Sequence, residues 1–239
     1  MRLIDIHCHI LPYVDDGAED MEEAIEILEE SYRQGIRHMI VTPHYRKEFF
    51  ETPMAKIVNS YRTLRKEAAA RGIQIFLGCE YFRDTEIYDQ VHEQIAGKKR
   101  VTLAGTKYML VEFSIQDTFS YIRNFTYQMK TQGLQPIIAH VERYENCWSM
   151  ENIQELHDCG VQIQLNAATV LGQHGWKNKK MCLKLMKENL IDYIASDTHN
   201  VDDRAQNLKK CADYVEKKMG SEYAKKIFFT NPSNILKSR

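Results

Sequence analysis

Short apolar segments alternate with longer amphipathic segments throughout the chain, and this alternation limits the possible folds more than any other feature. The apolar segments predict strands at Arg2–His7, His38–Thr42, Ile73–Gly78, Tyr108–Phe113, Pro136–His140, Val161–Leu165 and Tyr193–Ala195. The amphipathic segments predict helices at Met21–Gln34, Pro53–Ala70, Thr85–Ile95, Tyr121–Gln132, Met150–Asp158, Lys179–Glu188 and Asp203–Met219. Such alternation is typical of α/β folds with a mainly parallel sheet. Because no repeat or linker interrupts it, we expect one domain over residues 1–239.

Polar side chains recur at one end of the predicted strands. At or just past the C-terminal ends lie His7, His9, His44, Glu80, Glu112, His140, Asp197 and His199. In a closed barrel of parallel strands all these ends face one mouth, whereas an open sheet would distribute them along an edge. We therefore expect a TIM-like α/β barrel whose functional site lies at the C-terminal ends of the strands.

Metal binding is the chemistry that this set of residues favours. His7 and His9 should share one face of a strand because side chains alternate, and Asp197 and His199 have the same spacing. Asp16, in the loop after the first strand, completes a set of nine. Any one of these residues has an ordinary structural explanation, such as a solvated loop histidine. Nine at consecutive strand ends do not, since buried carboxylates and imidazoles are costly unless they are paired or bind metal.

The mixture of imidazole and carboxylate, without thiolate, suits Mn²⁺, Fe²⁺ or Zn²⁺. Nine ligands exceed the needs of one ion, so we expect a cluster of two or three ions with Glu80 as the natural bridging ligand. Closely spaced ions share a hydroxide nucleophile and stabilise both the attacking and the leaving oxygen. Such a cluster suits hydrolysis of a phosphate ester.

The positions of these ligands resemble the PHP (polymerase and histidinol phosphatase) superfamily. Further segments resemble its tyrosine phosphatases from Gram-positive capsule and exopolysaccharide loci, the CpsB/CapC type. The segments are Asp5–Ile10, Asp15–Gly17, Ser31–Gly35, Phe50–Pro53, Ile138–Tyr144 and Ala195–Asn200, and the similarity extends nearly from end to end. One departure is the segment Leu165–Thr169, which is less polar than this family pattern suggests.

The resemblance implies a distorted (β/α)7 barrel that binds two to three Mn²⁺ ions, with Fe²⁺, Zn²⁺, Co²⁺ or Mg²⁺ as possible substitutes. One ion would be held by His7, His9, Glu80 and Asp197. Glu80 would bridge to a second ion on Glu112 and His140, and a third would lie on Asp16, His44 and His199. Arg143 and Arg204 match arginines that face the substrate phosphate, and we assign them to catalysis together with His44 and His199.

The substrate implied by the resemblance is a phosphotyrosine-bearing protein, the tyrosine-rich tail of a membrane-associated autokinase that controls polysaccharide synthesis. Lys and Arg total 32 and Asp and Glu total 33, a balance that argues against a nucleic-acid binder. No apolar run approaches the ~18 residues of a membrane span, and the first residues are too polar for a secretory signal. We therefore expect a cytoplasmic protein with reduced cysteines.

Other functions remain open at this point. A cysteine-dependent tyrosine phosphatase needs an arginine six positions after its cysteine, and none of the six cysteines has one. A histidinol-phosphate phosphatase would share every ligand. A metal-dependent amidohydrolase would also begin with two histidines on a barrel strand, but it commonly bridges its metals with a modified lysine. A non-catalytic, metal-stabilised regulatory subunit would keep the ligands and would not need Arg143 or Arg204.

Overall fold

A computed structural model describes residues 2–83 and 102–239. The strands in this part of the chain are β1 Leu3–Cys8, β2 Ile36–Val41, β3 His44–Tyr45, β4 Gln74–Leu77, β5 Glu80–Phe82, β6 Tyr108–Glu112, β7 Gln135–Ile138, β8 Gln162–Asn166 and β9 Tyr193–Ala195. The α-helices are α1 Met21–Arg33, α2 Met54–Ala70, α3 Phe119–Thr131, α4 Met150–Asp158, α5 Ala167–Leu171, α6 Trp176–Lys187, α7 Leu208–Met219, α8 Ser221–Lys225 and α9 Asn231–Lys237. Short 3₁₀ helices lie at Leu103–Gly105, Val141–Arg143 and Glu145–Cys147, and Lys226–Thr230 forms a π-helical turn.

The strands form two parallel sheets that continue into each other. One has the order β1-β2-β4 and the other β3-β5-β6-β7-β8-β9. Two residues separate β2 from β3 and two separate β4 from β5, and pairing resumes at once after these breaks. Gly78 N donates to Val41 O at 2.8 Å, and Glu80 N donates to Pro43 O at 3.1 Å. Each pair of short strands is therefore one barrel strand with a break in it.

The ring closes where β1 meets the end of β9. Cys8 forms a parallel bridge with Thr198, and Asp197 N donates to His7 O at 2.9 Å. Asp5, buried in β1, accepts hydrogen bonds from Ser196 N and from Gln206 Nε2, both at 3.1 Å. These contacts confirm the expected α/β barrel, distorted by its two broken strands.

Two buried layers follow from the closure. Apolar residues of β1, β2, β4, β6, β7 and β9 form an inner cluster that includes Ile6, Ile40 and Ile137. A larger cluster lies between the strands and the helices. Helix α1 shows how the sequence forms this outer layer. Its N-cap Asp20 accepts from Glu23 N, and its buried residues recur at helical spacing, so one apolar face packs inward.

Several predicted elements differ from the observed ones. The helix predicted at Asp203–Met219 begins only at Leu208. The reason is that Asn200 Oδ1 accepts from both Asp202 N and Arg204 N and folds the preceding residues into a turn. Strands β3 and β5 and helices α5, α8 and α9 were not predicted. The helix predicted at Thr85–Ile95 lies outside the described residues.

Among the described residues, no helix is both long enough and apolar enough to span a membrane.

Candidate metal centre

Four side chains converge where β1 and β9 end and β5 begins. His7 Nε2 and His9 Nε2 lie 3.1 Å apart. Glu80 Oε2 is 3.2 Å from His7 Nε2 and 3.3 Å from His9 Nε2. Asp197 Oδ1 is 3.3 Å and 3.5 Å from the same two nitrogens. The family resemblance implied this group, and the structure brings all four side chains together.

Glu80 directs its two oxygens to different neighbours. Oε1 lies 2.9 Å from His140 Nε2, which in turn lies 3.6 Å from Glu112 Oε1. Oε2 faces His7, His9 and, at 3.0 Å, His44 Nδ1. A carboxylate with one oxygen in each of two ligand groups has the geometry that a bridging ligand requires. In the sequence Glu80 appeared to end a strand, whereas it begins β5 after the break at Gly78 and Cys79.

The third predicted group lies at the outer side of the cluster. Asp16 Oδ1 is 3.4 Å from His44 Nε2 and 3.5 Å from His199 Nε2. The ring of His9 stacks on that of His199, with centroids 3.9 Å apart. His9 Nε2 faces the group of His7, so this histidine stands between the two groups.

The cluster fits a bound cation on its own geometry. Within the described residues, Glu80 Oε2 and His199 Nε2 are buried and make no hydrogen bond of good geometry, although His44 Nδ1 lies 3.0 Å from the first atom and Asp16 Oδ1 lies 3.5 Å from the second. Both atoms carry lone pairs and both point toward other potential ligands. Buried polar atoms without a partner are rare and costly in folded proteins. A metal ion would satisfy both atoms, and the donor set of imidazole and carboxylate is the one that divalent transition ions take.

Neighbouring charges determine the protonation of the histidines. Burial disfavours the charged form of His7, but Glu80 and Asp197 outweigh it and raise its pKa to about 9. Glu80 likewise overcomes burial at His44 and raises its pKa to about 10. At His140 and His199 burial prevails and lowers the pKa of each to about 4. The metal-free cluster therefore holds protons on His7 and His44 at neutral pH.

The carboxylates of the cluster differ in the direction of their pKa shifts. Burial alone would raise the pKa of Asp197, but His7 and Arg143 hold it well below its usual range. The histidines around Glu80 also keep its pKa low against burial. Burial and the adjacent Glu80 charge raise the pKa of Glu112 to about 7. Asp197 and Glu80 are thus fixed anions that a cation can neutralise.

A set of hydrogen bonds to the far ring nitrogens holds three of the histidines in place. His9 Nδ1 lies 2.9 Å from Asp15 Oδ2, and His7 Nδ1 lies 3.2 Å from Gln164 Oε1. His140 Nδ1 lies 3.1 Å from the Tyr144 hydroxyl. Contacts of this kind orient metal-ligating imidazoles and fix their tautomers. Each leaves Nε2 directed into the cluster.

The sixth barrel strand supplies polar groups that the sequence reasoning missed. Asn166 Nδ2 donates to Asp197 Oδ2 at 2.6 Å, and Gln164 Nε2 donates to Asn166 Oδ1 at 2.8 Å. The segment beginning at Leu165 is therefore more involved in the site than its composition suggested. The signal was present in the sequence, because Gln162, Gln164 and Asn166 alternate with apolar residues along one strand.

Arg143 and Arg204 both reach the cluster from its rim. Arg143 Nη2 donates to Asp197 Oδ2 at 2.9 Å, and Arg204 Nη2 donates to Asp197 Oδ1 at 3.2 Å. Arg204 Nη1 lies 3.5 Å from Asp16 Oδ2, and Arg143 Nη1 lies 3.8 Å from Glu112 Oε1. Both guanidinium groups are about one-third exposed, so they connect the buried ligands to solvent.

Cys8 takes no part in the cluster although it stands between two of its histidines. Its side chain is buried in the outer core, and Sγ donates to Ile40 O at 3.5 Å. Burial raises the pKa of this thiol well above its usual range. Cys8 is therefore not a thiolate nucleophile.

Comparison with known proteins places this geometry in a family context. The family model described as "Capsular polysaccharide synthesis, CpsB/CapC" matches residues 3–237. Tyrosine-protein phosphatase CpsB of Streptococcus agalactiae serotype III is 34% identical over 244 residues, covering 99% of both chains. Tyrosine-protein phosphatase YwqE of Bacillus subtilis is 34% identical over 223 residues, covering 92% of this chain and 86% of YwqE.

Solved structures agree with the sequence comparison. One solved structure comes from work on YwqE of Bacillus subtilis and CpsB of Streptococcus pneumoniae, which are described as "unique metal-dependent tyrosine phosphatases". It superposes on this chain with a TM-score of 0.88 at 31% sequence identity. It covers 99% of this chain and 95% of that one. Histidinol phosphate phosphatase from Lactococcus lactis superposes with a TM-score of 0.59 at 13% identity over 92% of this chain and 94% of that one, a likeness of fold alone.

Proposed function

The chain belongs to the CpsB/CapC family of capsular polysaccharide synthesis proteins, and from that membership we propose that it is a metal-dependent protein-tyrosine phosphatase. One observation carries the proposal. A cluster of histidine and carboxylate ligands and two arginines, Arg143 and Arg204, meet at the same residue, Asp197. A metal-stabilised regulatory subunit would need no guanidinium at that position, whereas a phosphatase needs cations for the phosphate.

The nine converging side chains are the proposed ligands. They are His7, His9, Asp16, His44, Glu80, Glu112, His140, Asp197 and His199. We assign them two to three ions, Mn²⁺ by preference for oxygen and imidazole ligands, with Glu80 bridging. Bound ions would activate water and neutralise charge on the phosphate. The orphaned atoms of Glu80 and His199 support this assignment.

The arginines have a separate task in the proposed reaction. A phosphate monoester carries two negative charges, and its outer oxygens need donors that the ligand carboxylates cannot offer. The planar guanidinium of Arg143 or Arg204 provides two parallel N–H groups, which match a phosphate better than the point charge of lysine. Their partial exposure at the rim gives them access to a phosphate that enters the mouth.

Tyrosine is the leaving group that such a site handles most easily. Its phenol has a pKa of about 10, so the phenolate departs with less help from a general acid than a serine alkoxide would need. We further propose that the physiological substrate is the tyrosine-rich tail of a membrane-associated autokinase and that the protein acts in the cytoplasm. The family's description in capsular polysaccharide synthesis supports this assignment.

A comparison of three phosphorylated substrates tests the proposal. We expect the Mn²⁺-loaded protein to release phosphate from a phosphotyrosine peptide at least ~10-fold faster, in kcat/KM, than from the matched phosphoserine peptide or from histidinol phosphate. The control is the same protein preparation treated with chelator. Preference for histidinol phosphate would refute protein phosphotyrosine as the substrate and would support the small-molecule phosphatase.

A further inference from the structure

A groove with cationic and aromatic walls adjoins the candidate metal centre. It has a volume of about 350 Å³ and is lined by three cations, three aromatic residues and one carboxylate: Arg46, Lys47, Arg83, Phe49, Phe82, Tyr121 and Glu48. We refer to it as the Arg46 groove. None of these seven side chains belongs to the proposed ligand set. The groove is therefore a surface that the phosphatase reaction, as described so far, leaves without a role.

Strand register makes the groove continuous with the metal centre. His44 of β3 pairs with Glu80 of β5, so both proposed ligands stand side by side. Phe82 follows Glu80 by two residues at the end of β5, and Arg46 follows His44 by two residues, one past the end of β3. Side chains two apart on a strand share a face and are separated by roughly 7 Å. Phe82 therefore shares a face of β5 with Glu80, and Arg46 lies against Phe82, with its guanidinium carbon 4.2 Å from the ring centroid.

The guanidinium of Arg46 is held by aromatic rings and has no carboxylate partner among the residues that the structure describes. Its central carbon lies 4.4 Å from the ring centroid of Phe49 and 4.2 Å from that of Phe82, so it stands between two aromatic rings. Over residues 2–83 and 102–239, no carboxylate lies within 4 Å of it. Its neighbour Arg83, in contrast, donates to both carboxylate oxygens of Asp117 at 2.8 Å.

A tight turn fixes Arg46 relative to the metal centre. Arg46 and Phe50 form an antiparallel bridge, with Phe50 N donating to Arg46 O at 2.7 Å. The ring of Phe50 stacks on His44, with centroids 5.0 Å apart. Phe49, at the tip of the turn, is 68% exposed. An exposed aromatic residue beside an arginine that has no carboxylate partner in the described part of the chain is a combination that suits a binding surface.

We propose that the Arg46 groove is a specificity subsite for an acidic side chain that flanks the phosphotyrosine of the substrate, an inference that rests on the proposed function. The planar guanidinium matches a carboxylate with two parallel hydrogen bonds. The rings of Phe49 and Phe82 restrict the guanidinium and reduce its contact with water, which strengthens an ion pair. The spacing of roughly 7 Å suits a residue next to, or two away from, the phosphotyrosine, because an extended peptide rises about 3.3 Å per residue.

Charge reversal on both partners tests the subsite. The probes are phosphotyrosine peptides identical except for Glu or Lys at the two positions on each side of the phosphotyrosine. We expect the Mn²⁺-loaded protein to prefer the Glu peptide by roughly fivefold to tenfold in kcat/KM, and added salt to reduce this ratio. Arg46→Glu should bring the ratio to one or below. The matched control, Arg62→Glu, makes the same charge change on the exposed face of α2 and should keep the preference.

Each outcome is decisive. Equal turnover of the two peptides by the unaltered protein, or an unchanged preference in Arg46→Glu, would overturn the subsite and leave the proposed function intact. If the unaltered protein hydrolysed neither peptide, the proposed function itself would fail and the subsite with it. Circular dichroism and metal content of Arg46→Glu distinguish a lost preference from a lost fold, and Arg46→Gln serves as a milder variant that should halve the preference or more.

Discussion

Glu80 is the residue through which the groups of the metal centre are connected. It is fully buried, its two oxygens face four histidines, and one oxygen has no hydrogen-bond partner within the described residues. Removing the charge of Glu80 would leave buried imidazoles without an anion. Removing one of the histidines would leave the buried carboxylate with fewer partners. Both changes should destabilise the site, because an unpaired charge in the low-dielectric interior has a high free-energy cost.

Glu80→Gln should therefore remove metal as well as activity. The amide keeps the size of the side chain but loses the charge and one metal-binding oxygen, so we expect a loss of more than ~100-fold in phosphotyrosine turnover and at least one fewer ion per chain. Elemental analysis and initial rates on one preparation measure both. Glu145→Gln, at an exposed surface pair with Lys177, is the control. Full metal content in Glu80→Gln would show that Glu80 is not a bridging ligand.

Arg204 offers a test of the phosphate-binding role. Its two terminal nitrogens reach Asp16 and Asp197 at once, which a lysine cannot do. Arg204→Lys should lower kcat/KM for a phosphotyrosine peptide by ~10-fold or more while metal content stays the same. The control Arg123→Lys changes an arginine that pairs with Glu155 on the surface. Unchanged rates in both Arg204→Lys and Arg143→Ala would refute the assignment.

At the scale of elements, the breaks in two barrel strands place the ligands. Gly78 stands in the break between β4 and β5, two residues before Glu80. A Cβ atom on Gly78 would lie 2.9 Å from both Ile40 Cγ2 and Leu103 Cδ2. Only a glycine lets the chain pass this point without displacing its neighbours, so the break and the position of Glu80 depend on it.

Gly78→Ala should accordingly reduce both stability and metal binding. We expect the free energy of unfolding to fall by about 1–3 kcal/mol from overpacking, and metal content to fall with it. Chemical denaturation and elemental analysis measure these changes. Gly133→Ala is a useful comparison, since Gly133 has a φ of +81° and lies before β7, at the opposite end of the barrel. The free energy of unfolding of Gly133→Ala should fall by ~1 kcal/mol through backbone strain, but this variant should retain its metal. Full metal content in Gly78→Ala would contradict the account.

Sequence reasoning predicted the barrel and the residues that converge at its mouth better than the contacts that hold these residues in place. Apolar periodicity located strands such as β9, and strand ends located His7, Glu112 and Asp197. It could not find β3, because two residues carry no periodicity. It also missed Gln164 and Asn166, whose contacts with His7 and Asp197 depend on the closure of the ring. Contacts between strands far apart in the chain are set by register, which local patterns do not encode.

On the scale of the whole molecule, the site joins the two ends of the chain. Asp5 of β1 accepts from Ser196 and Gln206, so the first and last barrel strands bring His7 and Asp197 together. Metal bound across this seam would link residues that are almost 200 positions apart and should stabilise the fold by mass action. The single domain over residues 1–239 stays a prediction.

Metal binding by the whole protein should release protons. His7 and His44, with pKa values raised to about 9 and about 10, are protonated at pH 7 without metal, and a metal requires them neutral. Glu112, with a pKa raised to about 7, is partly protonated at pH 7 as well. Protons therefore compete with the metal, and affinity should rise with pH up to about 10. Calorimetric titration of Mn²⁺ at pH 7 in buffers of different ionisation enthalpy should show release of at least about two protons per chain. Identical heats in all buffers would contradict these protonation states.

The most direct test of the central claim is phosphate release from a phosphotyrosine peptide, measured as Mn²⁺ is added back to chelator-treated protein. The account predicts no turnover in the metal-free protein and full turnover at two to three ions per chain, because the nine converging side chains then hold a complete cluster. Undiminished turnover by protein shown to contain no metal would contradict it.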